Sequence, residues 1–121
     1  MKAVKIATVI LIITVLAVLI NSFIISGIIK KYESQIERIN SEDSAVLEKY
    51  EKAYEDFKVK KDYISLTVSH EDLTSIEDSF SGAIGAARSK NSDELEIIKS
   101  RLLDALHHLR RLVGINLDSI L

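Results

Sequence analysis

From Ile6 to Ile29 the chain runs for 24 residues without a charged side chain. Nothing else in its 121 residues restricts the fold so strongly. Fourteen of the twenty residues from Ile6 to Ile25 are Ile, Leu, Val or Phe. Wound as a helix rising about 1.5 Å per residue, the run spans about 36 Å, against about 30 Å for the hydrocarbon core of a bilayer. Each such residue favours insertion by about 0.3–0.6 kcal/mol at the helix centre, so fourteen supply on the order of −4 to −8 kcal/mol. Thr8, Thr14, Asn21 and Ser22 reduce that sum without cancelling it.

Three readings compete for this segment. A buried core helix would need an amphipathic pattern or a much larger domain around it. A cleaved signal peptide would suit the positive Lys2 and Lys5, but the apolar run is long and no A-x-A-like site follows it. A retained transmembrane anchor over residues 6–29 fits best. Lys2 and Lys5 flank one side and Lys30 and Lys31 the other, so the positive-inside rule nearly ties. The usual signal-anchor arrangement puts the N-terminus inside and the following domain outside.

The chain then divides into an anchor, residues 1–29, and a second region, residues 30–121. That region carries 14 basic and 18 acidic side chains, a net charge of −4. General nucleic-acid binding needs a basic face that displaces counterions, so no nucleic-acid partner is expected. Broad docking onto anionic lipid is disfavoured as well, apart from Lys30 and Lys31 at the membrane boundary. With no cysteine there is neither a disulfide framework nor a thiol nucleophile.

There is no proline and there are four glycines. Short polar clusters at Asn40–Ser44, Val68–His70 and Lys90–Asp93 punctuate the chain, and the apolar periodicity between them is helical. Ile29, Tyr32, Ile36 and Ile39 carry the anchor helix out of the membrane to about residue 39. Leu47, Tyr50, Tyr54, Phe57, Lys61, Ile64 and Val68 make a second stripe, interrupted by one lysine. Leu73, Ile76, Phe80, Ala83 and Ala87 make a third. Leu95, Ile98, Leu102, Ala105, Leu109 and Leu112 make a fourth. Tyr63–Ser69 is β-branched enough for a strand, but a lone strand has no partner, so it is read as helical. Short connections make neighbouring helices antiparallel. The fold class expected is therefore all-α: an N-terminal transmembrane helix continuing into a small antiparallel bundle, about four helices in total. Gly114 is expected to close the last helix, leaving Leu117, Ile120 and Leu121 in an apolar tail.

"SHEDLTSIED", residues 69–78, gathers a histidine and four acids. Ser69 and Asp72 fit a capping box ahead of an apolar stripe, and Glu71 and Asp72 suit the positive end of the helix dipole. A metal site would need further ligands at a suitable spacing, and no second histidine follows. Asp104 and His107 form half of a carboxylate-x-x-His motif, but a di-iron bundle needs two such motifs. His107 to Arg111 read instead as a solvated basic helix end. Tyr32, Tyr50, Tyr54 and Tyr63 have no base paired with them in sequence and read as core packing. Ser75, Ser79, Gly82, Ala86 and Ser89 form a small-residue stripe. It serves either close packing within the bundle or docking of a partner helix or a second copy.

An anchor, an aromatic-bearing second helix, "VSHEDLTSIEDSF" and a final "LDSIL" together resemble domain-of-unknown-function family 4363, short bacterial membrane proteins. The family's hydrophobic-x-His-acid-acid-hydrophobic element is matched by Val68, His70, Glu71, Asp72 and Leu73. Its tryptophans on the preceding helix are replaced here by Phe57 and Tyr63, and its Asn-Ile-Leu ending by Ser119, Ile120 and Leu121. The resemblance implies no activity. It implies a multi-pass membrane protein as partner, and a structural contact for His70.

These readings converge on a single-pass membrane protein that binds rather than catalyses, an accessory or scaffold for a membrane or envelope partner. The second reading is a small extracytoplasmic sensor that holds a ligand between helices. No constellation for catalysis is complete, so an enzyme is not expected, and no cofactor or metal is assigned.

Overall fold

The computed structural model describes residues 1–66 and 68–120, the last six as helix backbone alone. It is all-helical: α1 (Lys2–Glu37), α2 (Val46–Ile64), α3 (His70–Arg88) and α4 (Ser92–Ile120). No strand occurs among the described residues. α1 packs against α2 and α4, and α3 packs against the same two. The diagonal pairs do not approach each other, so the bundle has a square cross-section and alternating helix directions.

Burial follows the apolar stripes on three helices. Ile29, Tyr32, Ile36 and Ile39 are buried, as are Leu73, Ile76, Phe80, Ala83 and Ala87. On α1 the buried seam begins earlier, at Ser22 and Ile25, inside the uncharged run. Aromatic rings tie three helices together: Tyr32 meets Phe57 edge-on at 5.8 Å, Phe57 lies 5.5 Å from Phe80, and Tyr54 stacks on Phe80 at 5.4 Å. Such pairs add to what their buried area contributes. Lys61, the one lysine in the α2 stripe, does not interrupt the core. Its ammonium reaches Glu77 of α3 at 2.7 Å, and that carboxylate holds its pKa above the usual lysine value.

Three expectations need correction. Tyr63–Ser69 is not one continuous helix: α2 ends at Ile64, a turn follows, and Ser69 is the extended N-cap of α3. Gly114 does not close α4, which runs on to Ile120. The chain after residue 114 lacks a second stop signal, and a helical glycine costs only about 1 kcal/mol against alanine. The buried seam of α4 is Leu95, Leu102, Leu106, Leu109 and Val113, whereas Ile98, Ala105 and Leu112 are half-buried. The side chains of Leu117 and Ile120, and Leu121 itself, lie outside the described residues.

The connections are built from local hydrogen bonds. After α1, Asn40 and Asp43 accept from the Glu42 and Ala45 amides at 2.9 Å each, forming two Asx turns. Between α3 and α4 the Asn91 amide donates to Ala86 O at 3.0 Å and the Lys90 amide to Ala87 O at 3.2 Å. This is a Schellman closure, and its left-handed position is filled by Lys90 at φ 56°, not by glycine. Asn91 then caps α4: its side-chain Oδ1 accepts from the Glu94 backbone amide at 3.1 Å, and its side-chain Nδ2 donates to the Glu94 carboxylate at 3.2 Å.

Candidate functional site

The "SHEDLTSIED" segment opens α3. The Asp72 amide donates to Ser69 Oγ at 3.3 Å, and the Ser69 hydroxyl donates to Asp72 Oδ2 at 2.7 Å. The acid thus returns to the serine side chain, not to its backbone amide. Val68 packs against the core and Leu73 is fully buried, so both apolar ends of the element are structural. His70 and Glu71 stay exposed and face a groove between α3 and α4.

That groove encloses about 690 Å³. Ser75, Asp78, Ser79 and Gly82 form its α3 wall, and Ile98 and Arg101 its α4 wall. The small-residue stripe therefore divides. Ser75 and Ser79 line open space. Gly82 lies against Ile98, whose Cδ1 would stand 3.5 Å from a β-carbon built on the glycine. Ala86 is buried within the bundle. The Ser89 hydroxyl turns back to Gly85 O and Ala86 O, at 3.1 and 3.2 Å. The Ser75 and Ser79 part of the stripe thus borders the groove, and Ala86 packs inside the bundle.

The basic end expected at residues 107–111 is not a helix end, because α4 continues to Ile120, about two and a half turns further. Nor is it wholly solvated. Arg110 Nη2 lies 3.3 Å from Glu33 Oε2 of α1, and His107 Nδ1 lies 4.0 Å from Glu33 Oε1. Asp104 remains exposed. Among the described residues no three His, Cys, Asp or Glu side chains are grouped as a metal site.

A second groove, about 610 Å³, was not legible from sequence. Lys31 and Arg38 of α1 and Lys49 and Lys52 of α2 line it, without an acid. The four cations are spread over two helices in a chain of net negative charge, so no local run announces them. Lys49 pairs with Asp43 beside it, and that contact, with the Ala45 amide, lowers the Asp43 pKa.

Two buried tyrosines complete the inventory. The Tyr50 hydroxyl makes no hydrogen bond among the described residues, and burial, then the Glu96 charge, pushes its pKa up to about 12. The Tyr32 hydroxyl is buried too, and burial followed by the nearby Asp56 carboxylate keeps it protonated far above the usual tyrosine range.

The N-terminal half of α1 stands clear of the bundle. It contains one window long and apolar enough to cross a membrane, with a mean hydropathy of 2.8 and no buried residue. Comparison of the chain with protein-family models, curated proteins and solved structures finds no match to any of the three.

Proposed function

We propose that the protein is a single-pass membrane protein whose bundle is a non-catalytic docking module for a second membrane-embedded chain. One observation carries the anchor: an apolar helix stretch with none of its window covered by the rest of the protein. Left in water, that surface would be an aggregation liability far beyond the few hundred Å² that soluble monomers expose. The orientation we favour puts the N-terminus inside and the bundle outside.

The docking half of the reading rests on the α3–α4 groove. It begins at His70, beside the membrane-proximal turn, and its α3 wall is made of small side chains. Small residues let a partner segment approach closely. An open trough of this kind suits a segment of polypeptide better than an enclosed small ligand, which is normally buried over most of its surface. Kinship with family 4363, through Val68, His70, Glu71, Asp72 and Leu73, belongs to the same proposal, and would make the partner a multi-pass protein.

Photo-crosslinking in intact membranes tests it. A photoreactive side chain at exposed Ser75 should capture a membrane-embedded protein, and one at exposed Glu48 on α2 should not. Capture of a second copy would make the groove a self-association surface. No adduct from Ser75 would overturn the docking role. For orientation, Ser100→Cys in this cysteine-free chain should react with an impermeant thiol reagent in intact cells. Reaction only after lysis would reverse the topology.

A further inference from the structure

The anchor is too short to cross a bilayer before the bundle begins. Ile6 to Ile20 is the part of the uncharged run that precedes the Tyr63 hydrogen bond at Asn21 and the first buried residue of α1, Ser22. Those fifteen residues span about 22 Å at about 1.5 Å each, against about 30 Å of hydrocarbon. The shortfall of about 8 Å is about five further residues, which places the far hydrocarbon boundary near Ile25. Tilting the helix increases the shortfall. At that level α1 already has protein beside it: Ile25 is buried, and the Tyr63 hydroxyl donates to Asn21 Oδ1 at 2.7 Å.

The surface at this end is apolar where it faces outward. Phe23 of α1 is 77% exposed. Along the outer side of α2 and its closing turn, Val59 is 78% exposed, Tyr63 40% and Leu66 81%. Their spacing of four and three residues puts them in one strip. Tyrosine at the boundary, with an apolar ring and a polar tip, is the residue type that favours the headgroup level. Lys30 and Lys31 lie about 7–9 Å beyond Ile25 along α1, within the headgroup layer, and make no ion pair among the described residues.

We infer that the end of the bundle carrying Val59, Tyr63 and Leu66 is seated in the bilayer that α1 spans, with Val59 at the acyl–headgroup boundary, Leu66 on its hydrocarbon side, and Lys30 and Lys31 among the lipid phosphates. The occupant of this apolar patch is lipid. The inference rests on α1 being a membrane anchor. It makes the bundle a fixed extension of the membrane surface, not a head on a flexible stalk, because α1 passes through the boundary without a break. It also brings the His70 end of the α3–α4 groove to the headgroup level, where a partner's membrane-proximal segment would meet it.

The test places one nitroxide per chain through Ile13→Cys, Leu66→Cys or Ser100→Cys, in the full chain reconstituted into phosphatidylcholine–phosphatidylglycerol vesicles. All three sites are exposed, so the substitutions remove no core contact. Collision with lipid-soluble oxygen is compared with collision with a water-soluble nickel chelate. The expected result is oxygen-rich, nickel-shielded labels at 13 and 66, with nickel access at 66 several-fold below that at 100. A label at 66 as open to nickel as that at 100, with 13 shielded, overturns the seated tip and leaves the anchor standing. A label at 13 open to nickel removes the anchor and this inference together.

Discussion

Lys99 of α4 closes the end of α1, donating from its ammonium to Ile39 O at 2.8 Å and to Glu37 O at 3.2 Å. The last carbonyls of a helix have no intrahelical partner and carry the negative end of its dipole. α1 has no basic residue in its own last turn, so the cation comes from another helix, some sixty residues on. Lys99 is half-buried, and its contact fixes the register of α1 on α4 at the Ile39 end of the bundle. Lys99→Met should lower bundle stability by about 1–2 kcal/mol, a charge-assisted hydrogen bond discounted for partial exposure. A urea titration in detergent reads the change, and an unaltered midpoint would mean that solvent caps α1 equally well.

Lys90 predicts the opposite sign. An L-residue in the left-handed region carries a cost of about 1–2 kcal/mol that glycine escapes. The Lys90 side chain is exposed, and among the described residues it makes no ion pair that would offset that cost. Lys90→Gly should therefore raise stability by about 1 kcal/mol, part of the gain being offset by the entropy of an unfolded glycine. A rise in Tm of a few degrees would be the readout.

Lys99 and Arg110, two cations of α4 that reach α1, mark the limit of what sequence can say. Helix periodicity located α1 and α3 because their apolar residues form a single seam. It gave four helices and an apolar anchor for the same reason. On α4 the pattern is degenerate: apolar residues stand side by side at 105 and 106 and again at 112 and 113, so a period of 3.6 admits two seams. Lys99 and Arg110 look like ordinary surface cations, and only the arrival of α1 turns them into contacts. The groove was half-legible: its α3 wall is local in sequence, while Ile98 and Arg101 come from another helix.

Glu33 and Arg110 should show pairwise coupling. The Glu33 side chain is largely buried, and Arg110 is its closest cation. Removing Arg110 alone leaves a carboxylate short of a partner, so Arg110→Met should cost about 1–3 kcal/mol. Glu33→Gln in the same chain should recover much of that loss. A double-mutant cycle with no coupling would assign Glu33 to His107 and water instead.

Tyr50 sets an alkaline limit. Its pKa rises from 10.0 to about 12 on folding, so the folded state holds the phenolic proton more tightly. The stability this confers is complete below pH 10 and is lost as pH rises toward 12. Tyr32 shifts in the same direction. Tyr50→Phe removes a buried hydroxyl that has no hydrogen bond among the described residues, and should stabilise the bundle by about 1 kcal/mol at neutral pH. Its advantage should widen as pH passes about 11. Urea midpoints for both proteins across that range test the sign. A loss at neutral pH would mean that the hydroxyl is engaged in the folded protein.

The α4 seam gives the sharpest test of the packing. Leu106 is fully buried, and Leu112 is half-buried, although the simple repeat assigns the core to Leu112. Deleting a buried leucine to its β-carbon costs about 2–5 kcal/mol, through lost transfer energy and the cavity left behind. The same change at a half-buried site leaves no enclosed cavity and costs about 1 kcal/mol. Leu106→Ala should therefore unfold the bundle at a much lower urea concentration than Leu112→Ala. Both positions flank Arg110, which meets Glu33 of α1, so both report on the seam between α1 and α4. Equal effects would require α4 to be rotated by part of a turn. Such a rotation would also separate Arg110 from Glu33, so the coupling measured for that pair would vanish in the same experiment.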